Sequence, residues 1–190
     1  EVLGVSLAPD QVKFAQERAA AAGVADKVRF QLIDYRDVTG QFDRITSVGM
    51  IEHVGAPHFA EYFAKTNELL DPDGVMLTHT IGRTGPPGTT DKWTRKYIFP
   101  GGLLPSVEAI ERTVDAHTDL HVSERLSFGD HYATTLRLWR ERFEAGWAGL
   151  QKLGFDDTFR RMWLLYLCYT RAGFEAGYLD VHQFILAGNR

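Results

Sequence analysis

One stretch sets the architecture of this chain: Asp43-Arg44-Ile45-Thr46-Ser47-Val48-Gly49-Met50-Ile51-Glu52-His53-Val54-Gly55. Its apolar, β-branched part, Ile45 to Val48, predicts a buried strand. A glycine follows, and then Glu52 and His53 place a carboxylate beside an imidazole. Because ligands in open α/β sheets bind just outside the carboxyl ends of the strands, the stretch predicts a functional site there. A solvated loop or helix start would use the same two residues, so their neighbours must decide between the two interpretations.

Strands and helices alternate on both sides of this stretch. Upstream, Glu1–Leu7 is predicted as a strand, Pro9–Ala22 as a helix, and Val28–Leu32 as a second strand. Downstream, a helix between Phe59 and Leu70 has one apolar face, and Val75–Ile81 is a further strand. This order is typical of an α/β fold with a doubly wound, mostly parallel sheet. We therefore expect one domain over residues 1–190, with these strands parallel and the final strand antiparallel.

The second half of the chain is less regular and more aromatic. Gly82–Asp91 is rich in glycine, proline and threonine, and it predicts a mobile loop that could act as a lid. The remaining predicted elements are an irregular apolar wall at Trp93–Ser106, a helix from Val107 capped by Ser106, a strand at Leu120–Leu126, an aromatic amphipathic helix at Tyr132–Leu150, a helix at Asp157–Arg171 and a strand at Tyr178–Ala187.

The composition argues against several classes of protein. The net charge of −4 and the pI near 6.0 disfavour a nucleic-acid partner, which requires a basic surface. No apolar run is long enough to span a bilayer, and the first residues lack the pattern of a signal peptide. The lone cysteine, Cys168, excludes an intrachain disulfide and a cysteine-rich metal site, which fits a reducing cytoplasm.

Several longer motifs occur in one order along the chain. They are Gly4-Val5-Ser6-Leu7 with Gln11, Asp34-Tyr35-Arg36-Asp37, Phe42-Asp43-Arg44-Ile45, Ser47 to Gly55, His79-Thr80-Ile81-Gly82, Lys96-Tyr97-Ile98-Phe99-Pro100-Gly101-Gly102, Leu104-Pro105-Ser106, and Tyr132 followed by Thr134-Thr135-Leu136. With these motifs the sequence resembles the cyclopropane-fatty-acyl-phospholipid synthases and their mycolic acid cyclopropane synthase relatives. Members of that family are S-adenosylmethionine-dependent enzymes of the class I methyltransferase fold, and the resemblance covers nearly the whole chain.

The resemblance implies where the cofactor binds. In that family, the first strand and its glycine-rich turn hold the methionine part of S-adenosylmethionine, and they precede the segment that matches Glu1. We therefore expect an N-terminally incomplete domain that binds the cofactor poorly on its own. The cofactor-binding residues that the resemblance implies within this chain are Ser6, Leu7 and Gln11 near the ribose, Tyr35 and Arg36 near the adenine, and in addition Val48 and His53.

The resemblance also implies the chemistry. The alkene of an acyl chain attacks the sulfonium methyl group, and the resulting carbocation loses a proton to close a cyclopropane ring. The family is understood to use a bound bicarbonate as the base, and the resemblance implies no metal. The catalytic residues that it implies around the bicarbonate are Glu52, His79, the backbone near Ile81, and Tyr132. Taken alone, a strand histidine such as His79 is more often structural than catalytic.

Two departures from the family pattern concern cysteines. One cysteine that helps to hold the bicarbonate in relatives lies upstream of the segment that matches this chain. Relatives often carry another in the C-terminal helix, where this chain has Thr170 and, two residues earlier, Cys168. The chemistry implied by the resemblance requires no thiol there, so we interpret Cys168 as a packing residue.

The aromatic segment Trp93–Phe99 and the Tyr132–Leu150 helix predict a pocket for an unsaturated phospholipid acyl chain, opening toward a membrane surface. We expect a cytoplasmic protein bound peripherally to the membrane, with four basic residues near anionic headgroups: Lys96, Arg137, Arg140 and Arg142. Alternative products of the same chemistry are methyl-branched or methoxy lipids. A small-molecule methyltransferase and a catalytically inactive lipid-binding module are further alternatives, and self-association into a homo-oligomer is left open.

Overall fold

The first 41 residues fold as a unit of their own in the computed structural model, which describes residues 1–188. The unit contains strand β1 (Val2–Ser6), helix α1 (Pro9–Ala21) and strand β2 (Val28–Leu32). β1 and β2 pair in parallel, with Val2 opposite Val28 and Ser6 opposite Leu32. A short 3₁₀ turn, Tyr35–Asp37, follows β2. The predicted strand–helix–strand order of this segment is confirmed.

The second unit begins at Phe42 and contains the other elements of the described chain. In order, they are β3 (Phe42–Val48), α2 (Ile51–Val54), α3 (Phe59–Leu69), β4 (Leu70–Arg83), α4 (Lys92–Tyr97), α5 (Val107–His117), β5 (Leu120–Ser127), α6 (Gly129–Ala145), α7 (Trp147–Lys152), α8 (Asp157–Glu175) and β6 (Leu179–Gly188). The four strands form one sheet in the order β3-β4-β6-β5. β3 and β4 are parallel, whereas β6 runs antiparallel to both of its neighbours, as predicted for the final strand.

The α/β class and the parallel pairing of the predicted strands are confirmed, but the strands lie in two sheets. The prediction that Ile45 to Val48 is a buried strand is wrong. β3 is an edge strand that pairs with β4 on one side, and Val48 is 65% exposed. The β-branched sequence encodes an extended conformation, whereas burial also requires neighbours on both sides of the strand. The expectation of a single domain over residues 1–190 stays a prediction.

The core of the second unit includes two groups of buried side chains. On α3, the apolar face predicted from the helical period is buried, and it consists of Phe59, Tyr62, Phe63, Thr66 and Leu69. A second cluster joins α6, α8 and β6 through the buried residues Ala133, Leu136, Tyr166, Leu167, Phe174 and Val181. This second cluster matters for function because partly buried side chains of the candidate site, including Tyr132, pack against it.

Two predicted elements differ from the structure. The single helix expected over Tyr132–Leu150 is divided at Gly146 into α6 and α7, as the poor helix propensity of glycine permits. The apolar wall expected to be irregular begins with α4, which Asp91 caps by accepting hydrogen bonds from the backbone N–H groups of Trp93 and Thr94. The predicted cap of α5 is confirmed, since the Ser106 hydroxyl accepts from the backbone N–H of Ala109.

Strand β6 carries a buried histidine, His182, which is only 3% exposed. Its Nδ1 lies 2.8 Å from the hydroxyl oxygen of Ser127, and its Nε2 is buried without a hydrogen-bond partner among residues 1–188. Burial lowers the pKa of His182, because desolvation disfavours the imidazolium form; Arg125 acts in the same direction, and Asp180 opposes it.

The stability of the fold should therefore depend on pH through His182. Its pKa is 6.5 when unperturbed and lower when folded, so below about 6.5 the unfolded chain binds the proton more readily, and stability declines as the pH falls. Urea unfolding at neutral and mildly acidic pH should show a shallower decline for His182→Gln than for the unchanged protein. The exposed His117, changed to Gln, is the control and should leave the decline unaltered. Equal declines in all three proteins would contradict this assignment.

Candidate functional site

The predicted site begins where β3 ends. Gly49 has a positive φ of 63°, which lets the chain leave the strand sharply, and its N–H donates to the carbonyl of His79 at 2.9 Å. The one-turn helix α2 follows directly and carries Glu52 and His53. Glu52 is 9% exposed, so the carboxylate lies in the protein interior and not in a solvated loop. The interpretation of this stretch as a solvated loop is therefore wrong for Glu52.

Hydrogen bonds hold both the side chain and the backbone of Glu52. Its side-chain Oε1 accepts a hydrogen bond of 2.9 Å from the backbone N–H of Ile81, and its backbone carbonyl accepts one of 2.8 Å from the N–H of Leu103. Its second carboxylate oxygen, Oε2, is buried and has no hydrogen-bond partner among residues 1–188. A buried acceptor without a partner is costly. Oε2 is therefore suited to accept an O–H or N–H from a small ligand.

His79 and Ile81 lie on the same face of β4, two residues apart, so their side chains are neighbours along the strand. The Nδ1 of His79 lies 3.3 Å from the side-chain nitrogen of Gln183 on β6, and its ring centroid lies 5.9 Å from that of Phe128. When Nδ1 accepts from that amide nitrogen, the other ring nitrogen, Nε2, carries a hydrogen. The Nε2–H group of His79 can then donate a hydrogen bond to a ligand.

Tyr132 on α6 is the third predicted member of the site. Its ring centroid lies 5.1 Å from that of Phe174 and 6.0 Å from that of Trp139. Burial raises the pKa of Tyr132, and the negative charge of Glu52 raises it further. The phenol therefore stays protonated at neutral pH and can act as a donor. The pKa of Tyr132 thus responds to the charge of Glu52, although the two residues are distant in sequence.

Tyr166 on α8 belongs to the core cluster against which Tyr132 packs. The sequence placed it only within the predicted helix Asp157–Arg171. Burial raises the pKa of Tyr166 to about 12, with a further contribution from Tyr132 and an opposing one from a hydrogen bond with Thr170. The ring of Phe99 lies edge-on to Tyr166 at 5.9 Å and edge-on to His53 at 6.1 Å. His53, predicted as a cofactor residue, thus faces the aromatic segment.

The structure joins Glu52 to Ile81 by a hydrogen bond, places His79 two residues from Ile81 on β4, and packs Ile81 and Tyr132 against the same core cluster. Within the backbone near Ile81, which the resemblance implied around the bicarbonate, the N–H of Ile81 donates a hydrogen bond to Glu52. Val48 lies opposite His79 in the β3–β4 pairing at the exposed end of β3.

The other predicted cofactor residues lie in the first unit, at the ends of its two strands. Ser6 ends β1; its hydroxyl lies 3.4 Å from the Gln11 side-chain oxygen and accepts from the N–H of Ala8. Leu7 is 68% exposed. Hydroxyl and amide groups at such a strand end are suited to bind ribose hydroxyls.

Beyond β2, the predicted adenine residues Tyr35 and Arg36 lie in the 3₁₀ turn. The Arg36 guanidinium forms an ion pair of 2.7 Å with Asp34 and lies 6.0 Å from the centre of the Tyr35 ring. Hydrogen bonds from Arg36 lower the pKa of Asp34 to about 2. Asp34 was not predicted as a site residue, although an acidic residue at a strand end was a usable signal.

The interpretation of Cys168 as a packing residue is wrong. Cys168 is exposed on α8, and its sulfur lies 3.9 Å from the Arg140 guanidinium. At the position where relatives often have a cysteine, Thr170 forms a hydrogen bond with Tyr166.

A surface cleft of about 1000 Å³ lies away from Glu52 and is lined by α5 residues together with Arg125, Ser127 and His182. The aromatic side chains expected to form the acyl-chain pocket are not part of it. Three of them are between 41% and 49% exposed, namely Tyr97, Phe99 and Trp139. The acyl-chain pocket stays a prediction.

Comparison with known proteins identifies relatives over almost the whole chain. A family model described as mycolic acid cyclopropane synthetase matches residues 1–184. The tuberculostearic acid methyltransferase UfaA1 of Mycobacterium tuberculosis is 47% identical over 189 residues, which cover 97% of this chain and 44% of that protein. A cyclopropane-fatty-acyl-phospholipid synthase of Escherichia coli is 40% identical, over 98% of this chain and 47% of that protein. The chain thus spans less than half the length of these curated relatives.

Solved structures agree with the sequence relatives. The cyclopropane synthase MmaA2 from Mycobacterium tuberculosis superposes with a TM-score of 0.89 at 30% identity, over 98% of this chain and 70% of that one. The mycolic acid cyclopropane synthase CmaA1 complexed with SAH and CTAB superposes with a TM-score of 0.88 at 30% identity, over 98% of this chain and 69% of that one.

The electrostatic link between Glu52 and Tyr132 can be tested directly. Removing the charge with Glu52→Gln should lower the pKa of Tyr132, while burial keeps it above the ordinary value of 10.0. NMR titration of ring-labelled tyrosines, with Tyr132→Phe to assign the resonance, measures it. As a control, Glu61→Gln removes a half-exposed carboxylate on α3 and should have no effect. An unchanged Tyr132 pKa in Glu52→Gln would show that the two side chains do not share a site.

Proposed function

The chain belongs to the mycolic acid cyclopropane synthetase family, and on that premise we propose that it forms the catalytic region of an S-adenosylmethionine-dependent methyltransferase acting on unsaturated acyl chains of phospholipids. The proposed product is a cyclopropane ring at the position of the double bond. The observation that carries the proposal is the buried carboxylate of Glu52, with Oε1 on the Ile81 amide, Oε2 unpartnered, and a protonated Tyr132 nearby. Such a carboxylate is suited to hold a base inside an apolar environment.

The site must promote methyl transfer and then remove a proton. The π electrons of the alkene form a C–C bond to the methyl carbon as its bond to sulfur breaks, and the resulting carbocation loses a proton as the ring closes. When bound, S-adenosylmethionine supplies the methyl group and bicarbonate supplies the base. The residues of this chain fit the bicarbonate ion, because Oε2 of Glu52 is a spare acceptor for its O–H. Tyr132 and the Nε2–H of His79 can donate to its oxygens.

The surroundings of the site can protect a carbocation from water. Partly buried hydrophobic side chains pack around the core formed by α6, α8 and β6, and they include Ile81, Trp93, Ile98, Phe128, Tyr132 and Trp163. Excluding water prevents capture of the cation by hydroxide or water, and it strengthens the hydrogen bond between Glu52 and the Ile81 amide. We propose Ser6, Leu7, Gln11, Tyr35 and Arg36 as cofactor contacts within the first unit, and Val48 and His53 as cofactor contacts within the second.

A methyl-branched lipid is the second candidate product. The 47% identical relative is named a tuberculostearic acid methyltransferase, and that level of identity favours closely related chemistry. Both products require the same first step, so the residues of the site do not distinguish them. They differ in the fate of the carbocation, which loses a proton in one case and in the other gains a hydride from a separate reductant, a hydride-donating cofactor.

Glu52→Gln tests the proposed role of the carboxylate. The change keeps the shape of the side chain but replaces an acceptor oxygen with a donor, so we expect ring formation to fall by about 10²–10⁴-fold, as for loss of a proton-transfer partner. Binding of S-adenosylmethionine by the complete protein, measured by calorimetry, should be unchanged. Product is measured by mass spectrometry of lipids from cells that express the complete protein.

The same spectra separate the candidate functions. Gain of one CH₂ per unsaturated chain indicates cyclopropanation, whereas gain of CH₂ plus two hydrogens indicates a methyl branch. No change of the lipids in cells with the unaltered complete protein would overturn the proposal and leave the small-molecule methyltransferase or the inactive lipid-binding module. An equal loss of product and of cofactor binding in Glu52→Gln would assign Glu52 to the cofactor site instead.

Access to phospholipid requires contact with a membrane surface, and we propose that α4 provides it. Within residues 1–188, no helix combines the length and apolar composition needed to cross a bilayer. Two arginines that were predicted to face headgroups are already paired on α6, Arg137 with Glu141 at 2.7 Å and Arg140 with Glu144 at 3.0 Å. Such pairs leave little net charge for an anionic surface.

Helix α4 is better suited to that contact. Its exposed Lys92, Arg95 and Lys96 form none of the salt bridges found among the described residues, and Tyr97 beside them is 49% exposed. Cations next to an exposed aromatic ring are typical of an interfacial segment. The cytoplasmic location and the homo-oligomer stay predictions.

Vesicle co-sedimentation tests this surface. Changing Lys92, Arg95 and Lys96 to Gln should weaken binding to anionic vesicles by roughly 1 kcal/mol per side chain, or about a hundredfold in total, and added salt should do the same to the unaltered protein. The matched control is Arg137→Gln with Arg140→Gln, which removes charges that are already paired and should have a small effect. Binding that is equal on neutral and anionic vesicles would rule out electrostatic docking through α4.

A further inference from the structure

One peptide group connects the loop after β4 to the catalytic carboxylate. It is the peptide bond between Gly102 and Leu103. Its N–H donates to the backbone carbonyl of Glu52 at 2.8 Å, and its carbonyl accepts a hydrogen bond of 2.6 Å from the hydroxyl of Thr90. The peptide is therefore fixed on both sides, because its donor and its acceptor point to different parts of the chain.

We infer that Thr90 is a positioning residue for Glu52, acting through the Gly102–Leu103 peptide. A hydrogen bond to a carbonyl polarises the peptide and strengthens the bond that its N–H makes, so the two contacts support each other. Loss of the Thr90 hydroxyl would leave a partly buried carbonyl without its donor. The peptide would then rotate toward another donor, and its N–H would leave the Glu52 carbonyl.

Glu52 needs such a tether because α2 is weakly defined by its own sequence. The helix has four residues, Ile51–Val54, and Met50 at its N-terminal cap makes no side-chain capping hydrogen bond. The carboxylate is held by Ile81, which fixes the side chain but not the backbone. Leu103 supplies the missing backbone contact, so the two N–H groups together set where the carboxylate lies.

The sequence Phe99-Pro100-Gly101-Gly102-Leu103 permits the hydrogen bond between the Leu103 N–H and the Glu52 carbonyl. A Cβ atom on Gly102 would lie 3.0 Å from the Cβ of Phe99 and 3.3 Å from its carbonyl oxygen, which is tighter than ordinary van der Waals contact. Gly101 has a φ of 77°, a conformation that side chains rarely adopt. The two glycines thus let the backbone approach α2, while the Phe99 ring packs edge-on against His53.

The loop that ends in Thr90 is anchored at its other end as well. Thr84 donates its backbone N–H to the carbonyl of Tyr178 at 3.3 Å and its hydroxyl to the carbonyl of Gly177 at 2.5 Å. The segment between Thr84 and Thr90 therefore connects the start of β6 to Glu52. A change in the position of this loop would be transmitted to the carboxylate through one peptide.

Amide hydrogen exchange of the complete protein tests the connection without relying on the proposed activity. Thr90→Val removes the hydroxyl while keeping the size of the side chain, and Thr90→Ser keeps the hydroxyl. We expect Thr90→Val to speed exchange at Leu103 by about fivefold, the effect of losing one hydrogen bond, and to speed exchange in residues 50–54. Thr90→Ser should restore slow exchange. Thr89→Val, at the exposed neighbouring threonine, is the matched control and should match the unaltered protein.

The catalytic consequence rests on the proposed function and is measured separately. With Thr90→Val, the kcat for methyl transfer to phospholipid should fall about tenfold while the KM for S-adenosylmethionine and the melting temperature stay unchanged, and Thr90→Ser should recover most of the rate. Faster exchange confined to residues 99–104, or a change in KM with kcat intact, would overturn the positioning role. If the unaltered protein does not methylate lipid, the proposed function fails, and the exchange data still decide whether Thr90 holds Glu52.

Discussion

The burial of the Glu52 carboxylate is the constraint on which the candidate site depends. A charged group at this depth is tolerated only where hydrogen-bond donors compensate for the water it has lost. One such donor is the backbone N–H of Ile81. The parallel pairing of β3 with β4, which places Val48 opposite His79, brings this N–H to the carboxylate. The register of these two strands therefore determines the geometry of the candidate site. A slip of one residue would move every side chain of β4 to the other face of the sheet.

Aromatic packing has two roles in the second unit. Tyr132 and Tyr166 help to fill the core between α6, α8 and β6, and the same burial raises the pKa of both phenols. Their hydroxyl groups therefore stay protonated, and remain donors, to a higher pH than ordinary tyrosines do. Packing that stabilises the fold thus also raises the pKa of these two phenols, and a substitution that loosens this core would change both properties together.

Features determined by neighbouring residues were predictable from the sequence, and features determined by distant ones were not. The limits of β2, the buried face of α3 and the cap at Ser106 follow from local pattern and were predicted. Glu52 was predicted as a site residue because it follows the end of β3, whereas His79, predicted on the same ground, lies inside β4, which continues to Arg83. The exposure of Val48 was not, since it depends on how many strands surround β3.

Contacts between residues far apart in the sequence were also not predictable from the sequence. The sequence near Cys168 does not reveal that Arg140, on a different helix, lies beside its sulfur, and nothing local marks Thr90 as a partner of the Gly102 carbonyl. In each case the deciding contact joins segments at least twelve residues apart. The ion pairs of Arg137 and Arg140 lie within one helix turn and could have been anticipated from their spacing to Glu141 and Glu144.

The edge position of β3 has a consequence for the behaviour of the chain in solution. Among residues 1–188, its ladder partner is β4, so the N–H and C=O groups on its other side are available as a template for another strand. Asp43 and Arg44 place opposite charges at the start of this edge, but Thr46 to Val48 carry none. An exposed strand edge with an uncharged end is a predicted site of edge-to-edge pairing between protein chains.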